Sequence, residues 1–451
     1  MKAVIVMRIY MLLALIFLGG VAIDFCQEDT QPTGEELTLN EAITIALRDN
    51  RSIKNAKLGI EKTEEQLAAT RTARLPVFKV YSVFSEDLVK HDVNIPNPIS
   101  NLVPGLGPFF TVGTPQRPTG IFAAQALQPI SQQYKIGLGI NLAKLETQIG
   151  QQKLRAEKQS LVDDVKRAYY AILLTQSAIT SVTDEVASYR ELERVTGESV
   201  IQHVVLRTEL LQIQTLLAKA EYDSADLDNR LATQKEQLNR LLGRDVFTEF
   251  KVTAVSQTIA FETDAAAARR RAVEQRPELK EARLRLEQAK FDKRIKKSEY
   301  LPDVTAGFTY LKLANFDAIV PRNVASVGVA MSWEPFDWGR KKHQLAEKRK
   351  TLEQAENGVR EIEDQILIDV SDKFRKLQQT GLALRVAKAE CEAAREKVRI
   401  MTVNYKVSAV LLSEVLQSQA SASAADHRYQ QALLSFWTAK AEYEKALGED
   451  R

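Results

Sequence analysis

Residues Leu411–Ala446 read LLSEVLQSQASASAADHRYQQALLSFWTAKAEYEKA and carry an unbroken heptad pattern. Apolar or small residues recur in steps that alternate between four and three, through Val415, Tyr429 and Phe436. The mean step is about 3.5 residues, which is the repeat of a helix packed in a coiled coil. The pattern therefore predicts one long helix that is buried along one face.

The same pattern occurs a second time over Leu206–Leu241, at a spacing of 205 residues, which is the difference between 411 and 206. Features outside the heptad positions keep this spacing, as Glu209 does with Glu414 and Gly243 does with Gly448. A single heptad run is common, but two runs in one register with matching landmarks indicate an internal duplication.

The composition argues against several classes of function. Lys and Arg total 62 and Asp and Glu total 59, so the net charge is +3, and the basic residues are interleaved with acidic ones. This interleaving is typical of solvated helix faces and gives no sign of a surface for nucleic acid. Charged residues make up 27% of the chain and aromatic residues 7%, which favours long helices over one compact core.

The N-terminus predicts export from the cytoplasm. Lys2 and Arg8 precede an uncharged run, and Gly20-Val21-Ala22 then supplies small residues for cleavage, so residues 1–22 are predicted to be a signal peptide. Residues 23–36 are polar and are expected to be flexible. Lipidation of Cys26 is an alternative that the bulky preceding residue disfavours.

Two copies of one plan follow. The first repeat, 37–243, opens with a capping box at Thr38 and Glu41 and is predicted to contain strands at about 77–87 and 119–128 and a helical hairpin at about 137–242. The proline-rich residues 88–118 between the strands are expected to form an irregular loop. After a connector at 244–263, the second repeat, 264–451, is predicted to contain strands at about 303–313 and 323–334 and a hairpin at about 339–447.

The predicted strands alternate between two kinds of residue. Val327, Val329 and Met331 fall on one face, while Gly328 and Ala330 fall on the other. A lipid-facing and a lumen-facing surface would differ in this way. Four strands cannot close a barrel alone, because small membrane barrels begin near eight strands. Several chains would have to pool their strands, and three chains would supply 12.

Four segments carry a resemblance to a known family. They are Leu37–Pro76, its second copy ending at Leu301-Pro302, the stretch Trp333–Arg340 (WEPFDWGR), and Tyr405–Gln419. In this order, duplicated and behind a signal peptide, the chain resembles the TolC-type outer-membrane efflux proteins over nearly its whole mature length. The resemblance implies a mixed α and β fold: a homotrimer whose 12-stranded transmembrane β-barrel, with four strands from each chain, continues into a long α-helical coiled-coil barrel.

The resemblance also implies a function. Such a protein would sit in the outer membrane with a periplasmic helical extension and would act as the exit duct of a tripartite efflux or secretion system. Its partners would be a periplasmic adaptor protein, an inner-membrane pump and outer-membrane lipid, and its cargo would be drugs, toxic compounds, metal ions or exported polypeptide. No cofactor is implied, and no enzymatic activity.

The family's tip motif matches this chain in part. Tyr405 is retained, Ser408 stands where Gly is usual, and Val410 stands where some members have Arg. Glu414-Val415-Leu416-Gln417 replaces Asp-Val-Leu-Asp, so one ring of three Glu414 carboxylates is expected where the family has two rings.

In the first repeat, Thr208 and Glu209 match a Thr-Asp pair of the family, and the resemblance implies that this pair accepts hydrogen bonds from another helix in the closed state. His203 stands where the family has Gly. The gating residues implied are Tyr405, Glu414, Gln417, Thr208 and Glu209, and the adaptor-contact residues are Ser408, Val410, Leu411, His203 and Leu206. A weak closed state is expected, because Val410 cannot make the bidentate contacts of Arg.

Simpler interpretations stay open. Glu414 and Glu209 can be solvated helix charges, and Tyr405 can be an ordinary packing aromatic. The four histidines, at 91, 203, 343 and 427, lack metal-ligand spacing, and no phosphate-binding loop or nucleophile elbow is found, so neither a metal site nor an enzyme is predicted. The rival function is a secreted, non-conducting coiled-coil scaffold of the cell envelope, which would explain the heptads but not the paired strands.

Overall fold

A computed structural model of the chain describes residues 35–86, 88, 92–96, 109–113, 118–203, 205–253, 264–315, 322–406 and 409–449. The predicted signal peptide, Cys26 and Ser408 lie outside the described residues. Nearly all of the segment 23–36 lies outside them as well.

Nine elements lie in the described part of residues 35–243. They are β1 (Glu35–Leu37), α1 (Leu39–Asp49), α2 (Arg51–Thr72), β2 (Val77–Ser85), β3 (Asp92–Pro96), β4 (Phe109–Gly113), β5 (Thr119–Pro129), α3 (Gln133–Ile201) and α4 (Arg207–Leu242). The capping box predicted at the start of α1 is present, because the Glu41 backbone N–H donates to the Thr38 hydroxyl while the Glu41 carboxylate accepts from the Thr38 backbone N–H.

The connector contains β6 (Phe250–Val252). The described part of the second repeat then contains α5 (Ala265–Gln275), α6 (Pro277–Ser298), β7 (Asp303–Ala314), β8 (Asn323–Ser332), α7 (Arg340–Lys406) and α8 (Leu412–Ala446), which follow the order of the first repeat except for the β3–β4 hairpin. The short strands β1 and β6 pair in parallel and so tie the start of one repeat to the connector that leads into the other. None of the described helices contains a run long and apolar enough to span a membrane.

Part of the loop between the first two predicted strands forms a hairpin. Within 88–118, β3 and β4 form an antiparallel hairpin in which Asp92 pairs with Gly113 and Pro96 with Phe109. The prediction of a wholly irregular loop is therefore wrong for these residues. The sequence Phe-Phe-Thr-Val at 109–112 is rich in aromatic and β-branched residues, and this strand preference prevails over the prolines on either side.

Four strands form one antiparallel sheet in the order β2-β5-β7-β8. Its register places Phe78 opposite Ala126, Ala126 opposite Phe308, and Phe308 opposite Val327, so these side chains share one face. This is the apolar face expected from the alternation. Every residue of the two outer strands, β2 and β8, is exposed.

The four long helices pack as two antiparallel hairpins, α3 with α4 and α7 with α8. The heptad positions of α8 point inward as predicted, and Val415, Phe436, Ala439 and Tyr443 are buried. The main core lies midway along the long helices, where α1 and α5 also pack. There the Tyr169 hydroxyl bonds to the Leu37 carbonyl at 2.8 Å and accepts the Thr253 backbone N–H at 3.1 Å.

The duplication is visible where each hairpin ends. Gly243 follows α4 with φ 76° and lies against Asp49, at the break between α1 and α2; a Cβ there would meet the Asp49 carbonyl oxygen at 2.4 Å. Gly448 follows α8 with φ 79° and lies against Arg276, at the break between α5 and α6. Only glycine combines this left-handed backbone with so close an approach, so the matching glycines have a shared structural cause.

Candidate functional site

The candidate site is the end of the molecule where both helical hairpins turn. Each second helix starts in the same way: Leu206 and Leu411 are extended N-cap residues with no side-chain hydrogen bond. Glu209 and Glu414 each occupy the first turn, and their backbone N–H groups donate to the preceding leucine carbonyls at 3.0 and 3.1 Å. Carboxylates in this position complement the positive end of the helix dipole.

The turns themselves differ from a glycine turn. His203 adopts φ 57°, in the left-handed region, and its backbone N–H donates to the Val200 carbonyl at 3.0 Å. A non-glycine residue pays about 1–2 kcal/mol for this conformation. In the second hairpin the Ala409 backbone N–H donates to the Asn404 carbonyl at 2.9 Å.

A tip cluster of apolar side chains joins the two hairpins just above the turns. Its buried members come from α3, α4 and α8, and they are Val186, Tyr189, Leu192, Ile213, Ala220, Leu412 and Val415. Tyr405 and Val410 pack against it and are half-buried. The Tyr405 hydroxyl lies 3.4 Å from the hydroxyl of Thr196, which is fully buried on α3. Tyr405 is thus packed against its own chain and links α7 to α3.

The remaining predicted tip residues lie on the surface. Glu414, Gln417 and Thr208 are exposed, and Glu209 is half-buried. Among the described residues, the side chains of Thr208, Glu209 and Glu414 have no hydrogen bond or ion pair. The structure of one chain therefore leaves these groups free to face a pore or another copy.

The predicted adaptor-contact residues are mostly accessible. Leu206 and Leu411 are 71% and 70% exposed although both begin a heptad pattern, and His203 is exposed beside them. Two large apolar side chains in solvent at matching points of the two repeats form a surface that a partner could cover.

A polar ladder between α3 and α8 lies next to the tip cluster and was not predicted from the sequence. It consists of Ser177, Ser181 and Glu185 on α3 facing Gln430, Asp426 and Ser423 on α8. The Gln430 side-chain amide donates to the Ser177 hydroxyl at 2.8 Å, and the Ser423 hydroxyl donates to the Glu185 carboxylate at 3.4 Å.

Asp426 is the most enclosed group of the polar ladder, with its side chain 13% exposed. Burial opposes its ionisation, but hydrogen bonds from Ser181 and Cys391 and the adjacent Arg395 guanidinium outweigh burial and lower its pKa. The Cys391 thiol donates to Asp426 at 3.2 Å. Asp426 therefore carries its charge in the folded protein and ties α3, α7 and α8 together.

Glu185 behaves in the opposite way. Burial and the nearby Asp223 carboxylate raise its pKa, although hydrogen bonds from Tyr189 and Ser423 and the Lys219 charge lower it in part. Burial likewise raises the pKa of Tyr189. No group of His, Cys, Asp and Glu in the described part of the chain is arranged to hold a metal ion.

Comparison with known proteins gives a consistent result. The sequence matches the family described as "Outer membrane efflux protein" over residues 42–244 and 268–449. No curated protein sequence matches it significantly.

Three solved structures with the same fold are similar to this chain. The outer-membrane channel OprN has a TM-score of 0.75 and 15% identity, covering 91% of this chain and 89% of its own. The Campylobacter jejuni CmeC outer membrane channel has a TM-score of 0.75 and 15% identity, covering 91% and 85%. The open state of the Neisseria gonorrhoeae MtrE outer membrane channel has a TM-score of 0.71 and 17% identity, covering 91% and 89%.

Proposed function

The chain belongs to the outer membrane efflux protein family, and on this premise we propose that three copies of it form the exit duct of a tripartite export system. Family membership makes the protein an outer-membrane channel and not an enzyme. The proposal adds the number of copies, the way they join and the place where the duct is gated.

The observation that carries the assembly is that one chain leaves matching surfaces open at both of its sides. Strands β2 and β8 are the two edges of the sheet, and every residue in them is exposed. Unpaired edges with apolar side chains are templates for another strand. Pairing β8 of one copy with β2 of the next would close a barrel, and three copies would give 12 strands.

The long helices leave a second surface open. Helix α7 has one heptad face buried against α8, through Leu384 and Cys391, and a further heptad face that is exposed. The exposed face, called here the α7 stripe, consists of Leu382, Val386, Ala389, Ala393, Ile400 and Val403, with Glu396 at the one charged heptad position. An exposed apolar heptad stripe is expected to pack against another helix.

Helix α4 carries a matching exposed face. This α4 stripe consists of Leu211, Thr215, Ala218, Tyr222, Ala225, Asn229 and Ala232. Its small residues leave room for the large side chains of the α7 stripe. Tyr222 would in turn face the alanines of α7.

The duplication indicates how the two stripes meet. Within one chain, Gln430 of α8 contacts Ser177 of α3. By the repeat spacing of 205, Ser177 of the first repeat corresponds to Leu382 of the second, and Gln430 of the second repeat corresponds to Ala225 of the first. The contact that α3 makes with α8 inside the chain is therefore the template for a contact of α7 with α4 of the next copy. This single rule closes a ring of 12 long helices.

At the tip of this ring we place the gate. The exposed Glu414 carboxylates of three copies would form one acidic ring at the narrow end, which favours cations over anions. Tyr405, Gln417, Thr208 and Glu209 would line or support the same constriction. The exposed Leu206 and Leu411, with His203, Ser408 and Val410, would be covered by the periplasmic adaptor. The duct would then pass small molecules or exported polypeptide from the pump complex to the outside.

One experiment tests the duct directly. The protein purified in detergent is expected to have the mass of a trimer and to give single-channel currents in a planar lipid bilayer. A monomer that extracts without detergent and gives no current would refute the proposal and favour a coiled-coil scaffold instead.

A disulfide experiment tests the way the copies join. The double variant Leu382→Cys with Ala225→Cys is expected to form covalent dimers and trimers on oxidation, because these positions face each other across the proposed interface. The control pairs Leu382→Cys with Glu236→Cys, which lies on the same α4 face but about 16 Å further along the helix. Cross-linking of the control as efficiently as the test pair would refute the register.

A further inference from the structure

All the connections between the four-stranded sheet and helices α2, α3, α6 and α7 lie at one end of the sheet. The register pairs Val77 with Leu127, Pro129 with Thr305 and Asp303 with Ser332. The C-termini of α2 and α6 and the N-termini of α3 and α7 therefore lie at the same end of the sheet. The segments 71–76, 130–135, 293–302 and 333–342 at this end are called here the collar.

The collar is strongly basic. It contains ten Lys and Arg residues against three Asp and Glu residues, an excess of seven positive charges in each copy. The whole chain has a net charge of only +3, so the remainder of the chain is net negative. Positive charge is thus concentrated where the sheet ends.

Some of these cations are neutralised within the chain and others are not. Lys296 pairs with Glu299 at 2.8 Å, and Lys341 is buried and donates to the Glu334 carbonyl at 2.7 Å. A second group is exposed and makes no ion pair within the described part of the chain; its members are Arg71, Arg74, Arg294, Lys297 and Lys342. Four of these cations come from α2, α6 and α7, Arg74 follows the end of α2, and all five are exposed near one end of the sheet.

Large aromatic side chains are interleaved with the cations. Trp338 is 89% exposed, and it packs edge to face with the exposed Phe336 at 4.8 Å between ring centroids. Trp333, Tyr134 and Tyr300 are exposed as well.

The aromatic pair is held in place by the backbone. Asp337 accepts the Gly339 N–H at 3.1 Å and the Lys341 N–H at 2.8 Å, which fixes the turn into α7. Trp338 itself has φ 55°, a conformation that bulky residues rarely adopt. Trp338 is therefore both strained in its backbone and exposed to solvent, which indicates that its ring contacts a partner in the assembled protein.

From this arrangement we propose that the collar binds the headgroups of anionic glycerophospholipids in the membrane leaflet next to the long helices. The inference rests on the proposed function, since it requires the sheet to lie in a membrane. Trp and Tyr are enriched at membrane–water interfaces, and Lys and Arg beside them attract anionic lipid. The apolar face of the sheet continues directly from the collar, so acyl chains and headgroups would be contacted by adjoining parts of one surface.

The test compares lipids on the purified full-length channel in a zwitterionic detergent. Phosphatidylglycerol is expected to raise the temperature at which the assembly dissociates, and phosphatidylcholine is expected to raise it less. Equal effects of the two lipids on the unchanged protein would overturn the proposal, as would preferential loss of stability with phosphatidylglycerol.

Matched variants locate the binding surface. The triple variant Arg294→Gln, Lys297→Gln, Lys342→Gln is expected to bind phosphatidylglycerol about a hundredfold more weakly, because three cations are removed from the surface that meets the headgroups. The control removes three exposed cations remote from the sheet, through Lys251→Gln, Arg269→Gln and Arg270→Gln, and is expected to retain the preference.

Two results would contradict this assignment. An unchanged preference in the triple variant would place the lipid elsewhere, and an equal loss in the control would show attraction to overall charge only. Conductance is recorded on the same preparations. A conducting trimer without lipid preference refutes the collar proposal alone, whereas absence of trimer and current refutes the proposed function.

Discussion

Replacing two residues of the α7 stripe should weaken the assembly without changing the fold of one chain. Leu382 and Val386 are 56% and 60% exposed in the single chain, and neither takes part in a buried cluster. In the proposed ring both lie against the α4 stripe of the neighbouring copy. The double variant Leu382→Ser, Val386→Ser would therefore lose contacts that exist only between copies.

The expected size follows from these exposures. Full burial of a Leu or Val side chain contributes about 1.5–3 kcal/mol. Roughly half of each side chain remains to be buried, so each contributes about 1–2 kcal/mol when the copies join. Two side chains at each of three interfaces give about 6–12 kcal/mol per trimer.

The assay is the temperature at which the trimer dissociates in mild detergent, followed by native mass or by gel electrophoresis. The double variant is expected to dissociate at a clearly lower temperature, with an unchanged far-ultraviolet circular dichroism spectrum. Phe247→Ser, at a side chain 78% exposed in the connector and outside both stripes, serves as the control. An unchanged dissociation temperature in the double variant, or an equal fall in the control, would refute the interface.

Three further predictions concern the polar ladder and the tip. Asp426→Asn should lower the free energy of unfolding by about 1.5–3 kcal/mol at neutral pH, because a charged buried hydrogen-bond acceptor is lost. Since the pKa of Asp426 in the folded protein is lowered from 3.8, the difference in stability between variant and unchanged protein should disappear as the pH falls below that value. Asp228→Asn, at an exposed aspartate, is the control in the same thermal melts. Glu185→Gln should raise stability at pH 7, because the raised pKa means that the ionised form is disfavoured in the fold, and the gain should shrink as the pH falls towards 4.5; a destabilised variant at pH 7 would contradict this. Glu414→Ala should lower the ratio of cation to anion permeability in a planar bilayer, whereas the uncharged neighbour Gln417→Ala should leave it unchanged; unaltered selectivity in Glu414→Ala would remove the acidic ring from the gate.

The long helices were predictable because their pattern is set by one strong term, the burial of a heptad face. In α7 the heptad spacing places Lys373 between the buried Val370 and Leu377, where an apolar residue is expected, and this exception has a local explanation. The Lys373 ammonium group pairs with Glu442 of α8 at 3.0 Å, and this hydrogen bond raises its pKa. The sequence shows the exception but not the partner of Lys373, since the two residues are far apart along the chain.

The hairpin of β3 and β4 and the polar ladder were not predicted from the sequence pattern. Alternation located the four strands of the main sheet, but the hairpin of β3 and β4 was missed because prolines around it suggested a loop. The polar ladder was missed for a different reason. Ser177, Ser181 and Asp426 sit beside heptad positions and look like solvated residues until α8 is placed on α3.

At the tip, sequence reasoning located the surface but not its contacts. The equivalence of Glu209 with Glu414 could be read from the repeat, and both indeed occupy the first turn of a helix. The partner of Tyr405 could not be predicted, because Thr196 belongs to the other repeat and the two residues meet only where the hairpins join at the tip cluster.

The comparison of the two repeats separates contacts inside a chain from contacts between chains. Ser177 and Ser181 of α3 correspond to Leu382 and Val386 of α7, so two positions in the duplicated unit are polar in the first copy and apolar in the second. The polar copy faces α8 of the same chain, where Asp426 needs hydrogen-bond donors. The apolar copy is more than half exposed in the described part of the chain. In the proposed ring Leu382 meets the small residue Ala225 of α4 of the next copy, where a buried polar group without a partner would be costly and apolar contact is favourable. Divergence between the repeats therefore follows from the different neighbours of each copy. The same reasoning predicts that exchanging the pairs, with serine in α7 and leucine and valine in α3, would damage both kinds of interface.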